Sequence, residues 1–355
     1  MPAVSDMVWS AQGTTPGAID DALRAMLKER HSENASYVPA RTLNLVCVVD
    51  KQWSGEIANR LRGVGRPHAA RTIVCAVEPR RSSIDAVATI ASDVHPQPGE
   101  FALLRETVIV DIGEHHLSHL DTIVDPLVVT DLPTVVWAPH GHRQAVDALL
   151  HLTQVVLLDS VDEPDMREAL DRVHNLLDDV YVVDLAWLRS TPWRERVAAT
   201  FDTPHLRPDL QTISAVTVRH HPESGVVGLL LVGWLASRLG WQLSRLMSGS
   251  SGRLMGSARA RRQDVKVTLE PTPALQVRGL EGLTLETASG RHFELDRGRG
   301  GLQAYYRNAK GQERRWVVLG ASRGEPGILG EGIRQALLRD PTYAPALGAA
   351  CALVQ

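Results

Sequence analysis

Histidines form the densest group of potentially metal-binding or acid–base side chains in this sequence. The run Glu114-His115-His116-Leu117-Ser118-His119 places His115 and His119 four residues apart. On a helix both imidazoles would face the same side, which is a spacing that zinc sites use. His140 and His142 lie further along the chain and could supply additional ligands. The same side chains could instead bind an anion or a sugar phosphate, cap helices, or face solvent.

The position of these histidines along the chain favours a common location. Residues 103–111 and 134–137 are apolar runs typical of buried strands, and residues 114–124 are predicted to be helical. In a parallel sheet the turns that follow such strands meet at the carboxyl edge, where ligands usually bind. One hypothesis is therefore an α/β enzyme with a metal or sugar-phosphate site at that edge.

The standard cofactor-binding loops are missing. The sequence contains no GxGxxG and no GxxxxGK[ST] pattern. We therefore predict no cofactor, and nicotinamide or ATP binding through the usual loops is disfavoured. We also predict no catalytic residue.

Residues 184–202 have the composition of a contact surface. Thr191 followed by Pro192 predicts the start of a helix. Tryptophan and arginine, the residue types most enriched at interface hot spots, surround that start. The predicted partner-binding side chains of this segment are Trp187, Arg189, Trp193 and Arg194. Burial in the core is the competing interpretation for the two tryptophans.

A second candidate contact surface is the basic stretch 253–266. Its candidate partner-binding residues are Arg253, Arg259, Arg261 and Arg262. No aromatic residues alternate with these arginines and the net charge of the chain is −3, so a nucleic-acid partner is disfavoured. A solvated loop or a docking surface for an acidic partner is expected instead.

The order of apolar runs predicts two domains. In residues 1–162, unbroken apolar strands alternate with helices, which is typical of an α/β domain with a mostly parallel sheet and helices on both faces. Residues 163–355 are predicted to form an α+β domain, because close-spaced alternating strands separated by glycine turns indicate an antiparallel meander. The Ser/Gly-rich residues at about 248–258 are predicted to form a flexible loop.

Composition is that of a globular protein from a reducing compartment. Three cysteines occur without a CxxC pair. The strongest apolar run, residues 226–236, is shorter than the roughly 20 residues that cross a membrane. We expect a cytoplasmic protein with no membrane partner. A redox-sensing regulator is a further hypothesis, in which Cys47 and Cys75 could pair only if their strands are neighbours.

Several segments resemble, in the same order, the glucose-6-phosphate dehydrogenase assembly protein family (OpcA). The most specific is 184–202, and shorter segments that also fit are 41–46, 71–74, 131–137, 159–160 and 231–241. The resemblance covers about residues 40–320. It implies a non-catalytic partner that binds glucose-6-phosphate dehydrogenase, favours its active oligomer and supports the oxidative pentose phosphate pathway. The resemblance does not say which positions touch the enzyme.

Overall fold

The apolar runs of the first 160 residues form the strands of one sheet. The computed structural model describes residues 6–39, 41–64, 70–92, 100–261, 263–319 and 325–355. The strands of this sheet are β1 (Met7–Ala11), β2 (Tyr37–Pro39), β3 (Leu43–Asp50), β4 (Ala70–Glu78), β5 (Asp85–Ser92), β6 (Ala102–Gly113), β7 (Thr134–Trp137), β8 (Val155–Leu158) and β9 (Tyr181–Asp184). Their spatial order is β1-β5-β6-β4-β3-β7-β8-β9, and β2 pairs with β6.

The centre of this sheet is parallel, as its unbroken apolar strands predict. β3 lies between β4 and β7, β6 follows β4 and β8 follows β7, all in parallel. Residues 43–49 of β3 are all buried, so both faces of the sheet are covered at this strand. The predicted α/β architecture is confirmed. β5 and β1 add an antiparallel edge beyond β6, which the apolar runs did not reveal.

Helices and short 3₁₀ turns connect these strands. The helices are α1 (Pro16–Glu33), α2 (Ser54–Val64), α3 (Asp121–Val124) and α4 (Arg143–Leu149), and the 3₁₀ turns cover 51–53, 114–119, 125–127 and 150–152. The Thr15 hydroxyl accepts a hydrogen bond from the Ala18 amide at 3.3 Å, and so caps α1. Ile19, Leu23 and Met26 form the buried stripe of this helix, as their spacing predicts.

The chain divides into two compact units. The first contains residues 1–158, 179–183 and 333–337, and the second contains residues 159–178, 184–332 and 338–355. This division differs from the single boundary expected between 162 and 163, because the chain returns to the first sheet. β9 lies beside β8, and the Tyr181 amide donates to the Gln154 carbonyl at 3.2 Å.

The second unit contains a sheet of nine described strands. They are β10 (Ile213–His220), β11 (Gln242–Leu243), β12 (Met247–Ser248), β13 (Leu254–Arg259), β14 (Asp264–Pro271), β15 (Leu280–Thr287), β16 (His292–Gly298), β17 (Gly301–Arg307) and β18 (Glu313–Leu319). Their order is β11-β13-β14-β10-β15-β16-β17-β18, and β12 pairs with β13. β15 to β18 form the predicted antiparallel meander. β10 and β14 are parallel, which requires a crossover connection, and α8 (Gly225–Leu239) lies in that connection.

The Ser/Gly-rich stretch 248–258 has regular structure, so the prediction of a flexible loop is wrong. Ser251 and Gly252 turn the chain at positive φ angles of 59° and 74°. β13 follows this turn and pairs with β14 along its whole length. Pairing with a neighbouring strand fixes a segment that composition alone would leave free, because strand formation depends strongly on context.

Helix α8 is buried between the second sheet and another helix. The remaining helices of the chain are α5 (Met166–Leu176), α6 (Leu185–Arg189), α7 (Thr191–Phe201), α9 (Glu325–Gln335) and α10 (Tyr343–Cys351). Gly228 of α8 lies against Leu269 and Val218 of the sheet, and Gly233 lies against the backbone of α10. Among the helices in the described parts of the chain, none combines the length and apolarity needed to cross a bilayer.

Gly233 permits the close approach of α8 and α10. An added Cβ would collide with the carbonyl oxygen of Ala346 and lie 2.9 Å from the amide nitrogen of Ala350. We expect Gly233→Ala to lower the free energy of unfolding by about 1–3 kcal/mol, as overpacking does, measured by urea denaturation. The control is Gly348→Ala on α10, where an added Cβ meets nothing within 4 Å and stability should not fall. Equal unfolding midpoints for the two variants would contradict this account.

Candidate functional site

The predicted tryptophan–arginine surface lies inside the second unit. Trp187 and Trp193 are each 2% exposed, and Arg189 and Arg194 are 7% and 8% exposed. The prediction that these four side chains form an exposed contact surface is therefore wrong. Helices α6 and α7 turn them into the unit, where the two guanidinium groups have partners that compensate for their burial.

Arg194 packs on the indole ring of Trp187. Its guanidinium carbon lies 3.4 Å from the ring centroid, which is a cation–π contact. The guanidinium also donates to the hydroxyls of Ser190 at 3.0 Å and Thr191 at 2.9 Å. The indole N–H of Trp187 donates to the Asp340 carboxylate at 2.8 Å. Burial lowers the pKa of Arg194 to about 10, so this side chain is still charged at neutral pH.

Arg189 forms a bidentate ion pair with Asp159. Two guanidinium nitrogens each lie 2.7 Å from a different carboxylate oxygen. Bidentate arginine–carboxylate pairs are among the strongest hydrogen-bonded contacts in proteins. Both groups are removed from solvent, and a buried charge is tolerated only when it is paired in this way. Arg189 therefore holds the second unit together rather than offering a contact to a partner.

The carboxylate of Asp184 connects three segments of the second unit. Oδ1 caps α6 by accepting the Ala186 amide at 2.9 Å, and it also accepts the Ser160 amide at 3.1 Å. Oδ2 accepts the Tyr343 hydroxyl at 2.9 Å and the Ser160 hydroxyl. Burial, and then the nearby Asp159 carboxylate, raise the pKa of Asp184 to about 6.

The predicted basic contact residues lie at one end of the second sheet. Arg253, Arg259 and Arg261 are exposed, and Arg253 lies 3.3 Å from the Glu270 carboxylate. Arg262 lies outside the described residues. The exposure of the three described arginines leaves their predicted contact role open, and it stays a proposal.

Two exposed methionines accompany these arginines, and sequence analysis did not predict them. Met247 of β12 and Met255 of β13 lie opposite each other and are 66% and 41% exposed. Only strand pairing brings them together, so no local pattern signals this pair. We call Met247, Met255, Arg253, Arg259 and Arg261 the edge surface.

Asp50, His140 and His142 meet at the carboxyl edge of the first sheet. Asp50 ends β3, and the two histidines follow β7, its parallel neighbour. His142 Nε2 lies 3.0 Å from Asp50 Oδ1, and the Asp50 amide donates to His140 Nδ1 at 3.0 Å. One ligand atom from each residue lies within 4.8 Å of the others, as a metal-binding group requires. Burial lowers the pKa of His140, although the nearby Asp50 carboxylate acts in the opposite direction. The lowered pKa favours the neutral imidazole, which is the form that binds metals.

His115 and His119 do not join this cluster. They lie on the 3₁₀ turn 114–119 instead of an α-helix. A 3₁₀ turn has three residues per turn, so residues four apart point about 120° away from each other, and the prediction of a shared face is wrong. Both side chains are exposed, and the His115 ring lies 3.9 Å from the His116 ring. Within the described parts of the chain, no three-residue metal-binding group includes either of them.

Cys47 and Cys75 lie on neighbouring strands but on opposite faces of the first sheet. β3 and β4 place Cys47 beside Val74, so Cys75, one residue later, projects from the other face. Both thiols are buried, and burial raises the pKa of Cys75 to about 12. This arrangement does not support the redox-sensor hypothesis, because a disulfide requires side chains that point toward each other.

The fold and these sites define a two-unit protein in which the tryptophans and arginines of the 184–202 segment serve internal packing. The family model for the N-terminal domain of the glucose-6-phosphate dehydrogenase subunit matches residues 62–175, and the model for the C-terminal domain of the same family matches residues 180–347. Together they match more than half of the chain. The chain therefore belongs to the glucose-6-phosphate dehydrogenase subunit (OpcA) family, which confirms the resemblance of the sequence segments.

Curated relatives carry the family name. Over 141 residues the chain is 29% identical to a protein of Synechococcus elongatus named "Putative OxPP cycle protein OpcA", and over 130 residues it is 30% identical to a protein of the same name from Nostoc punctiforme. These matches cover 39% and 36% of this chain and 32% and 28% of the relatives. The chain thus matches about a third of the length of these curated relatives.

Two of the solved structures to which this chain is similar are named as dehydrogenases. The WlbA (WbpB) dehydrogenase from Thermus thermophilus is 12% identical with a TM-score of 0.46, over 87% of this chain and 94% of that chain. The apo scyllo-inositol dehydrogenase from Lactobacillus casei is 11% identical with a TM-score of 0.45, over 89% and 96%. Nothing about activity follows from a likeness at this level.

The raised pKa of Asp184 predicts a pH dependence of stability. Because the folded state holds this proton more tightly than the unfolded chain, the stabilisation is complete below the ordinary pKa of 3.8 and is lost as the pH rises to about 6. A shift of this size corresponds to on the order of 3 kcal/mol. We expect the free energy of unfolding of Asp184→Asn to fall less than that of the wild type between pH 3.8 and about 6, measured by urea denaturation at several pH values. Asp202→Asn, at an exposed carboxylate, is the control, and a profile of Asp184→Asn parallel to that of the wild type would contradict the assignment.

Proposed function

We propose that this chain is a non-catalytic accessory protein that binds glucose-6-phosphate dehydrogenase and favours its active oligomer. The observation that carries the proposal is the match to both domains of the glucose-6-phosphate dehydrogenase subunit family. The name of the cyanobacterial relatives, OxPP cycle protein, supports a role in the oxidative pentose phosphate pathway. The buried 184–202 segment then contributes by holding the second unit together.

An accessory protein of this kind must bind the active state of the enzyme more tightly than the inactive state. Equal affinity for both states would shift nothing, however tight the complex. A tenfold preference is worth about 1.4 kcal/mol, so a few well-placed contacts are enough. The contact should therefore include a feature that only the active oligomer presents, such as a surface formed where two enzyme protomers meet.

The edge surface is the contact that we propose on this chain. Methionine and arginine are enriched in protein interfaces. The edge surface combines an exposed methionine pair with exposed arginines on β13 and the residues that flank this strand. Cationic side chains also favour an acidic patch on the partner and speed its association. The predicted role of Arg253, Arg259 and Arg261 is kept on this basis, and Met247 and Met255 are added to it.

The test uses the purified chain and its cognate dehydrogenase. We expect the chain to co-elute with the enzyme and to increase NADP-dependent oxidation of glucose 6-phosphate. The double variant Arg259→Glu/Arg261→Glu should raise the concentration for half-maximal activation at least tenfold, because like charges then face the partner. The control is Arg207→Glu, at an exposed site outside the edge surface.

The outcomes separate the function from the surface. Absence of both a complex and a rate change with the wild-type chain would reject the accessory function. Normal activation by the double variant, alongside activation by the wild type, would reject the edge surface alone.

The second candidate function is an α/β enzyme with a metal or sugar-phosphate site at the carboxyl edge of the first sheet. The geometry of Asp50, His140 and His142 favours it, although His140 Nδ1 already accepts the Asp50 amide and would have to give up that bond to bind a metal there. On the accessory-protein proposal we expect the purified chain to contain no stoichiometric transition metal by mass spectrometry. Bound zinc that is lost in His142→Ala, together with a chelator-sensitive hydrolase activity, would favour the enzyme.

A further inference from the structure

A pocket of about 420 Å³ opens at the far end of the second sheet from the edge surface. Its volume lies within the range of small-molecule sites, about 300–1,000 Å³. The last turns of α7, residues 203–206 and the β17–β18 hairpin form its walls. The lining side chains that matter for its chemistry are Arg196, His205, Tyr306, Glu313, Arg314 and Trp316.

One wall of the pocket is aromatic and is held in place by the core. The Phe201 ring of α7 meets the Phe293 ring of β16 edge-on, with centroids 5.5 Å apart, and Phe293 lies 6.5 Å from Trp316. Both phenylalanines are buried, whereas Trp316 is only partly buried. Trp316 therefore ends a packed aromatic row with part of its indole accessible from the pocket. Such a ring can pack against a base or the apolar face of a sugar.

The charged lining is mostly positive. Within the described residues, neither Arg196 nor Arg314 forms an ion pair with a carboxylate. The Nε of Arg196 is buried without a hydrogen-bond partner among these residues, although buried donors normally have one. Arg314 lies over the Trp316 ring, 5.5 Å from its centroid. The lining carboxylate of Glu313 lies 3.9 Å from the Arg315 guanidinium, which partly offsets its charge.

We propose that this pocket binds a phosphorylated metabolite, with the phosphate at the guanidinium groups of Arg196 and Arg314 and the attached ring on Trp316. Guanidinium groups match the geometry of phosphate oxygens. Nucleotides and sugar phosphates share this chemistry, a phosphate joined to a ring. The proposal does not depend on binding to the dehydrogenase.

Calorimetric titration of the full chain with four probes tests the ligand. We expect ADP or glucose 6-phosphate to bind with a submillimolar Kd, and the tighter of the two identifies the source as nucleotide or sugar phosphate. Adenosine and inorganic phosphate should bind at least tenfold more weakly, because each lacks one of the two contacts. Failure of both phosphorylated probes to bind would overturn the proposal, as would inorganic phosphate binding as tightly as the better of them.

A matched pair of variants on β18 tests the site. Arg314 is exposed, so Arg314→Gln should fold normally, which circular dichroism checks, and should weaken binding of the better probe at least tenfold. Its neighbour Arg315 lies over the Tyr305 ring, 5.1 Å from the centroid, and does not line the pocket. Arg315→Gln should therefore bind as the wild type does, and Arg196→Gln should lose affinity as Arg314→Gln does. Undiminished binding by Arg314→Gln, or an equal loss in Arg315→Gln, would overturn the assignment.

Discussion

The arrangement of the second unit depends on one buried carboxylate. Asp184 accepts hydrogen bonds from Ala186, Ser160 and Tyr343, and so fixes the start of α6 against two segments far away in sequence. That position sets Trp187, whose indole N–H reaches Asp340, close to Tyr343 in the chain. Each buried polar group is stable here because its neighbours satisfy it. Removing one member would leave others unpaired, at about 1–3 kcal/mol for each group.

The first unit contains a buried polar cluster of the same kind. Glu106 Oε2 accepts a hydrogen bond from Arg71 Nε at 2.8 Å, and Glu106 Oε1 accepts one from Arg41 Nε at 2.5 Å. The Asn44 amide donates to the Val129 carbonyl at 3.0 Å. Arg41, Asn44 and Arg71 belong to segments that carry the family resemblance, as do Asp184 and Arg194. In both units, therefore, residues of these segments form internal hydrogen-bond networks. The segments that resemble the family thus stabilise the fold, and the residues named here do not form a contact surface.

The two ends of the second sheet differ in chemistry. One end presents methionines and arginines that lie open to solvent, and the other presents a pocket lined by an indole ring and guanidinium groups. The strands β14, β10, β15, β16 and β17 separate β13 from β18. Substitutions at Arg259 and Arg314 therefore affect separate surfaces, because sites far apart with no shared partners act independently.

Local sequence patterns predicted most of the strands and helices, and they indicated the family. Thr15 and Pro16 mark the start of α1, the apolar run of β3 predicts a covered parallel sheet, and the glycine turns predict the meander of β15 to β18. These features are readable because they depend on local periodicity and capping. Local patterns do not predict the antiparallel edge formed by β5 and β1 or the parallel pairing of β10 with β14. Both features depend on which strands meet in the folded protein.

The accessibility of the candidate side chains depends on how distant segments pack together. Trp187 and Arg194 have types that suit both an interface and a paired interior, and the acceptor that decides the matter, Asp340, lies 153 residues from Trp187. His115 and His119 likewise share a face only in an α-helix, and the chain forms a 3₁₀ turn there. Exposure is a property of contacts between distant segments, so local sequence does not determine it.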